Sequence, residues 1–532
     1  MANKKYLNIL SVLLITILVA FATGCGGGGG GGGSTLPTGP GTDLNPNSVQ
    51  APGTSVLANN GAMFTYAAAN AAYVAMKLPV DDQAAQFALI VTNPNTTAQN
   101  VRIKPESYVL GTVRNSIQTS APDALGQLRL NQGPLESRLR VLANQRAAVE
   151  GVRASRSIRA SDHSGEKVGD IVVLKVVSDW WGTNYVSRNC KLERMPVGGK
   201  CKIFVDQDPY DGLSAVTGTD AVTSADLDHF VTEFETHIYP LISTSYANFY
   251  DIDNDGRVSI LLSPVYSKLG FAGLFNSNDF AVDNANSNQR DLIALFSPDS
   301  AKSWTGTKWL EATRETICHE MQHLVNYSAH MYTNKVGQME EEWLDESLSV
   351  GAEARYRLAR GSSVLENRFT LWSNSPSSVG LWNFSRALSQ YGIVGLYNFF
   401  LFEQSNSDTI KALVNSTVLG RDNIAARFPT LGMNGSLRNF AMGAMLDTLR
   451  NKGMIDLTKI NNSYRYTTPI GLNVAYTTVP FGYSSENIAV PPYGSAFYLI
   501  TQASGFSSTE YQFRVESEQG RDIDILMVRI PK

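Results

Sequence analysis

The chain contains 532 residues, of which 43% are apolar and 17% are charged. This length exceeds the size at which one hydrophobic core keeps growing, so we expect several structural units. The composition is typical of a folded globular protein and excludes a largely disordered chain. The formal net charge of -4 gives no general reason to bind nucleic acid, and we expect neither DNA nor RNA as a partner.

The N-terminus has the pattern of a bacterial lipoprotein signal. Lys4 and Lys5 precede a largely apolar run over residues 7–21, which is shorter than the ~20 residues that cross a bilayer. Small residues then lead directly into Cys25. We therefore expect a signal peptide over residues 1–24 and lipidation of Cys25.

A segment rich in glycine, proline and small polar residues follows over residues 25–53 and predicts a flexible tether. The expected location of the remaining chain is extracytoplasmic, on the bacterial cell envelope and attached to the membrane through the N-terminal lipid. Because Gly26 rather than Asp follows the cysteine, we expect the outer membrane in a Gram-negative source.

Residues 54–165 predict an N-terminal β-rich domain with a basic helix. Short apolar runs at 88–92 and 101–103 are separated by turn residues. From residue 135 apolar side chains recur near helical spacing, with arginines between and after them. These arginines fit a solvated helix face, while a proteolytic processing site or a surface for an anionic partner would have the same composition.

The rest of the chain predicts an α+β, multidomain protein. Residues 170–177 and 202–205 have strand patterns, and residues 224–249 carry an apolar stripe at helical spacing. Further helical patterns follow as far as about residue 450. We therefore expect one α+β domain over residues 166–455 and a C-terminal β-rich domain over residues 456–532.

Three cysteines remain after the predicted lipidation site. Cys190 and Cys201 flank a short segment containing Pro-Val-Gly-Gly, and a turn there could bring two strands together. We therefore predict a disulfide between them. Cys318 precedes a histidine on an apolar helix and fits a buried, inert thiol better than a metal ligand.

An acidic loop precedes a short apolar run at residues 258–262. Asp251, Asp253 and Asp255 alternate before Gly256, which is typical of the start of a calcium loop, but the twelfth position is Leu262 rather than glutamate. This departure excludes a standard EF-hand. An Asx-rich turn and an unorthodox Ca2+ site both stay open.

The segment His-Glu-Met-Gln-His at residues 319–323 predicts a zinc site. No glycine or proline interrupts the surrounding helical pattern, so His319 and His323 project from one helix face. His330 lies seven residues further, a rise of ~10.5 Å, which is too far for a shared zinc on a continuous helix. A helix break that would bring a third histidine back is also absent, since Asn326 and Ala329 occupy the positions that would hold the glycine and the histidine.

Glu346 is the best candidate for the third ligand. It shares a predicted helix face with Trp343, Val350 and Glu353, where an unpaired carboxylate would be unfavourable. A carboxylate on a solvated face is the alternative. Glu353, two turns further, could orient a ligand histidine through its free ring N–H. The preceding acidic run at residues 340–342 fits an exposed helix N-terminus.

Four segments resemble the hyicolysin family of bacterial metallopeptidases in order and spacing. They are NSNQRDLI at 286–293, HEMQH at 319–323, EWLDESLS at 342–349 and the Tyr-Gly pair at 391–392. The resemblance covers roughly residues 168–450 and implies a gluzincin-like zinc peptidase domain. By this likeness His319, His323 and Glu346 are ligands of one catalytic Zn2+, and Glu320 is the catalytic residue.

Thermolysin-like gluzincins carry Asp four residues after the glutamate ligand, where this chain has Val350, so the residues that orient the ligands stay open. The expected reaction is hydrolysis of protein or peptide bonds by a metal-activated water, with Glu320 as general base. Tyr391 is a candidate donor to the developing oxyanion, although a core tyrosine would have the same pattern. A surface-exposed binding or adhesion lipoprotein on this fold is the rival function, and it would not require Glu320.

Overall fold

A computed structural model describes the chain almost continuously from residue 161 onward and in separate segments before it. The described residues are 48–50, 63–67, 73–79, 86–105, 112–113, 140, 161–282, 284–382, 384–502, 510–517 and 523–530. The predicted signal peptide, Cys25 and all of the predicted basic helix except Arg140 lie outside them.

The described strands are numbered in chain order. They are β1 (Ser48–Gln50), β2 (Met63–Ala67), β3 (Tyr73–Pro79), β4 (Gln86–Thr92), β5 (Gln99–Pro105), β6 (Thr112–Val113), β7 (Ile171–Val177), β8 (Tyr185–Arg194), β9 (Cys201–Asp206), β10 (Val258–Ser263), β11 (Gly273–Phe275), β12 (Leu292–Phe296), β13 (Thr477–Pro480), β14 (Ser484–Ser485), β15 (Ile488–Val490), β16 (Ser495–Thr501), β17 (Glu510–Ser517) and β18 (Asp524–Arg529).

The described α-helices fall between β9 and β13. They are α1 (Ser224–Glu233), α2 (Tyr239–Ser245), α3 (Pro264–Leu269), α4 (Gly306–Ser328), α5 (Glu342–Ala359), α6 (Asn367–Asn374), α7 (Leu388–Gln404), α8 (Ser407–Val414), α9 (Gly420–Arg427) and α10 (Gly432–Asn451). Within the part of the chain that the structure describes, no helix is both long enough and apolar enough to cross a membrane. The mixture of helices and sheets confirms the α+β prediction.

A six-stranded mixed sheet in the order β11-β12-β10-β9-β8-β7 positions the central helices. β9, β10 and β12 are parallel, whereas β7, β8 and β11 pair antiparallel with their neighbours. β10 and β12 are buried along their whole length, as their largely apolar sequences predict for parallel strands covered on both faces.

Helix α4 carries the His-Glu-Met-Gln-His segment and lies against β11 and β12. Its second half is completely buried, and α5 packs along it with α7 on the other side of α5. Because both α4 and α5 are enclosed by sheet and helices, polar side chains on their facing surfaces have to find partners there.

Strands from the two ends of the described chain form one β-sandwich. Its sheets have the orders β1-β3-β17-β5-β15 and β13-β16-β4-β18-β2, with β14 and β6 as a small additional pair. Apolar side chains from both five-stranded sheets share one core. The β-rich segments predicted before residue 165 and after residue 456 therefore do not form two separate domains, because each five-stranded sheet contains strands from both segments. β1 also lies inside the predicted tether and pairs with β3, so the tether prediction is wrong for Ser48–Gln50.

The strand β4 shows how the sandwich joins the helical part. Phe87, Leu89 and Val91 enter the core between the two sheets, while Ala88 and Ile90 join the large core that includes α10. Alternate residues of a strand face opposite sides, so both faces of β4 are buried. This double burial explains its unbroken apolar sequence.

The predicted disulfide is wrong. Cys190, Cys201 and Cys318 are all buried free thiols. In the antiparallel β8–β9 pair Cys190 lies opposite Asp206, five residues along β9 from Cys201. At a rise of about 3.3 Å per residue this register separates the two cysteines by far more than a disulfide can span.

Candidate metal centre

Two histidines one helical turn apart form the first part of the site. His319 and His323 lie on the buried face of α4 and are 5% and 9% exposed. Their Nε2 atoms are 3.0 Å apart. The i, i+4 spacing on one helix accounts for this convergence, because residues four apart share a face.

Glu346 on α5 completes a group of three possible ligands. Its Oε2 lies 3.5 Å from the Nε2 atoms of both His319 and His323. Glu346 is 1% exposed, and among the described residues this oxygen accepts no hydrogen bond. Ligand atoms on one tetrahedral zinc at 2.0–2.1 Å are about 3.3 Å apart, so the three atoms fit a shared zinc ion.

Each imidazole is held by a partner at its other nitrogen. His319 Nδ1 lies 2.5 Å from Glu353 Oε1, and Glu353 also accepts a hydrogen bond from Arg368. His323 Nδ1 lies 3.2 Å from Asp345 Oδ2 and 3.2 Å from Ser349 Oγ. A ring N–H donated from Nδ1 leaves the Nε2 lone pair directed at the metal position.

The charges of this group are strongly coupled. Burial lowers the pKa of His323, but Asp345 and Glu346 outweigh burial and raise that pKa well above its ordinary value. Burial also lowers the pKa of His319, but the carboxylates of Glu346 and Glu353 outweigh burial and raise that pKa above its ordinary value. Burial raises the pKa of Glu346, but the two imidazoles hold it well below its ordinary value. A metal has to displace protons from this network, so metal affinity should rise with pH.

Glu320 lies beside the three possible ligands without belonging to them. It is 2% exposed, and its Oε2 accepts the backbone N–H of Phe275 on β11 at 2.8 Å. Gly273 on the same strand allows this close approach, because a Cβ there would lie 2.5 Å from Thr316 and 3.0 Å from the Cγ of Glu320. The strand therefore fixes the Glu320 carboxylate next to the metal position.

A pocket opens onto this group. Its lining residues are Arg140, Phe275, Ser277, Glu320, His323, Met339, Asp345 and Glu346. The pocket thus brings the predicted base and two predicted ligands to one cavity.

Arg140 was not predicted at this place. Its guanidinium donates to Asp345 Oδ2 and, at 2.7 Å, to the carbonyl oxygen of Glu340, and its side chain is 14% exposed. The prediction of a solvated face for the basic segment is therefore wrong for Arg140, because a buried carboxylate binds it.

Three residues that contact the metal group or its partners were not predicted from the sequence. Asp345 and Ser349 flank Glu346 on α5 and contact His323, while Arg368 on α6 contacts Glu353. The only signal for Asp345 was its position beside Glu346. Ser349 and Arg368 had no such signal, since their contacts depend on how α4, α5 and α6 pack.

Other predicted residues lie elsewhere. Tyr391 is buried at the start of α7 with its ring edge-on to Phe384 at 5.1 Å, and it is not among the described residues that line the pocket. His330 is fully buried beyond the end of α4 and is outside the group of possible ligands among the described residues.

Glu340 is only 3% exposed, so the prediction of an exposed acidic run is wrong there. It accepts backbone N–H groups from Gly420 and Glu341.

The chain resembles a known metalloprotease over part of its length. The chain is 25% identical over 200 residues to the neutral metalloprotease ShpI of Staphylococcus hyicus, and the match covers 36% of this chain and 45% of ShpI. A crystal structure of a mutant M1 zinc metallopeptidase from Deinococcus radiodurans matches 51% of this chain and 52% of its own, at 11% identity and a TM-score of 0.28. A TM-score this low carries no argument about the fold. No family model matches the chain.

The geometry and the sequence match together support the class of zinc metallopeptidases. The chain spans less than half of the length of ShpI in this match. The narrower resemblance to the hyicolysin family stays a prediction.

Proposed function

We propose that this protein is a zinc-dependent endopeptidase of the gluzincin type, with His319, His323 and Glu346 as zinc ligands and Glu320 as general base. The observation that carries the proposal is the convergence of the three ligand atoms within 3.5 Å beside a carboxylate that faces the same pocket. The likeness to a neutral metalloprotease supports a protein or peptide substrate. The motif resemblance to hyicolysins extends the proposal to that family and to a peptidase domain over residues 166–455.

The residues of the site divide the work of hydrolysis. When bound, zinc would lower the pKa of a water to about 7 and polarise the substrate carbonyl. Glu320, held by the Phe275 N–H, accepts a proton from the attacking water and returns it to the leaving amine. Glu353 and Asp345 hold the two imidazoles in the orientation that presents Nε2 to the metal.

Zymography on casein tests the proposal with the purified chain. We expect clearing by the wild type, loss of clearing with a chelator and its return with added zinc. Glu320→Gln should abolish clearing while its zinc content stays near that of the wild type, because the change removes the proton acceptor and no ligand. Glu311→Gln on the exposed part of α4 is the matched control and should clear casein normally.

A wild-type chain that contains zinc and clears no substrate would contradict the proposal. That outcome would favour the rival function of a binding or adhesion lipoprotein. Retention of Glu320 beside the ligands argues against this rival, since zinc binding alone does not require a general base.

We also propose that the protein is extracytoplasmic and attached to the membrane through lipidated Cys25. The support is the sequence pattern of residues 1–25. Cys25→Ser should leave the signal unprocessed by the lipoprotein peptidase and abolish labelling with a palmitate analogue. Unchanged labelling of the variant would contradict the anchor.

A further inference from the structure

The acidic loop singled out in the sequence lies at a second place in the fold, outside the metal centre. Asp251, Asp253 and Asp255 precede Gly256, whose φ of 73° lies in the left-handed region that favours glycine. The loop leads into β10. Asp291 immediately precedes β12, which pairs parallel with β10, and its carbonyl oxygen accepts the Ser259 N–H at 2.8 Å. Strand pairing therefore brings a fourth carboxylate to the loop.

Three of these carboxylates converge. Asp251, Asp253 and Asp291 each offer one oxygen, and these oxygens lie within 4.8 Å of one another. Calcium binds oxygens at 2.3–2.6 Å, so ligands on opposite sides of one ion are up to about 5 Å apart. The spacing fits a calcium ion and supplies only hard oxygen donors, which disfavour zinc.

The two buried carboxylates have unused oxygens. Asp253 is 1% exposed, and neither of its carboxylate oxygens accepts a hydrogen bond among the described residues. Asp291 is fully buried; its Oδ1 accepts the Ile252 N–H at 3.1 Å, whereas its Oδ2 accepts none. Buried carboxylate oxygens that accept no hydrogen bond are unfavourable, so these oxygens favour a bound cation.

The basic side chains near the acidic loop do not balance its negative charge. Lys202 is 1% exposed and pairs with Glu166 and Asp255, and its Nζ lies 3.8 Å from Asp253. Among the described residues, the other two nearby cations are Arg290, which pairs with Glu166, and Arg257, which donates to the carbonyl oxygen of Asp255. The five carboxylates are Glu166, Asp251, Asp253, Asp255 and Asp291. They exceed the three cations by two negative charges, which one divalent ion would neutralise.

We propose that Asp251, Asp253 and Asp291 bind one calcium ion that fastens the acidic loop to the start of β12. Asp251 is exposed and leaves the ion a path from solvent, while water or backbone carbonyl groups complete its coordination. The ion is structural, because none of its three ligands belongs to the metal centre on α4 and α5.

Calcium titration of the full zinc-loaded chain tests the proposal. With calcium chloride added to calcium-free protein, we expect about one bound ion per chain by calorimetry and a rise in Tm of at least about 3 °C. Magnesium chloride at equal concentration should raise Tm by less than half as much, since Mg2+ requires a tighter octahedral arrangement.

Two carboxylate variants test which residues bind the calcium ion. Asp291→Asn and Asp251→Asn should each weaken calcium affinity at least about 10-fold, and the exposed position of Asp251 keeps the second variant folded if the first fails. Asp422→Asn, at an exposed carboxylate far along the chain, is the charge-matched control and should bind calcium like the wild type.

Two outcomes would overturn the proposal. The first is a wild-type chain that binds no calcium at millimolar concentration. The second is a pair of variants with unchanged calcium affinity, which would assign any bound ion elsewhere.

Discussion

His319 Nδ1 and Glu353 Oε1 lie 2.5 Å apart between α4 and α5. Helix α5 therefore supplies one possible metal ligand, Glu346, and also the carboxylate that orients a ligand on the neighbouring helix. The second oxygen of Glu353 accepts a hydrogen bond from Arg368 at 2.6 Å, which fixes the carboxylate itself.

Glu353→Gln should weaken zinc binding about 10–100-fold, because the amide orients His319 less well and removes a negative charge near the metal. Competition with a chromogenic chelator measures the affinity. Glu366→Gln is the matched control, since Glu366 contacts the same Arg368 guanidinium as Glu353 but is outside the described group of carboxylates that contact the histidines. Equal zinc affinities of the two variants would argue against an orienting role for Glu353.

Asp345 should contribute to the fold as well as to zinc binding. Its carboxylate accepts hydrogen bonds from Arg140 and Asn326, and it holds His323. In chelated protein, Asp345→Asn and Arg140→Met should each lower the free energy of unfolding by on the order of 2 kcal/mol, measured in urea. Only Asp345→Asn should also weaken zinc binding. If both chelated variants unfolded at the same urea concentration as the wild type, the Asp345–Arg140 pair would not stabilise the fold.

The raised pKa of Glu340 predicts that the stability of the fold depends on pH. Burial raises its pKa to about 7, so between the unfolded pKa of ~4.5 and pH 7 the native chain holds a proton that the unfolded chain releases. Stability from this group is present below that window and is lost as pH rises through it. Glu340→Gln should therefore gain up to about 3 kcal/mol relative to the wild type between pH 5 and pH 8 in chelated protein.

Urea unfolding at several pH values measures this difference. Glu311→Gln removes an exposed carboxylate of the same type and serves as the control. A constant difference between Glu340→Gln and the wild type from pH 5 to pH 8 would contradict the raised pKa.

The β8–β9 register makes a prediction about thiols. Residues 26–532, which lack Cys25, should show three reactive thiols per chain after denaturation without reductant, corresponding to Cys190, Cys201 and Cys318. In the native chain Cys190 and Cys201 should react slowly, because burial raises both thiol pKa values. A single reactive thiol after denaturation would indicate a disulfide between Cys190 and Cys201 and would contradict the register.

The three possible ligands could be predicted because their pattern is local. Helical spacing places His319 and His323 on one face, and the apolar stripe around Glu346 indicates an inward carboxylate. The partners of these groups depend on packing instead. Asp345 reaches His323 only through the placement of α5 against α4, which spacing along either helix does not determine.

The pairing of the β-strands also could not be predicted from local sequence patterns. The apolar run in β4 indicates burial on both faces, yet it does not say which strands lie beside it. Its neighbours β16 and β18 lie about 400 residues further along the chain. Short strand patterns at the two chain ends therefore predicted two β-rich units where the structure has one sandwich.

The zinc content of four purified chains tests the central claim most directly. After dialysis with zinc and removal of the excess, the wild type, Glu320→Gln and His330→Ala should each hold about one zinc per chain by elemental analysis. Glu346→Ala should hold less than about a tenth of that amount, because it lacks a ligand. Loss of zinc from His330→Ala together with full zinc in Glu346→Ala would contradict the ligand set and with it the proposed gluzincin-type site.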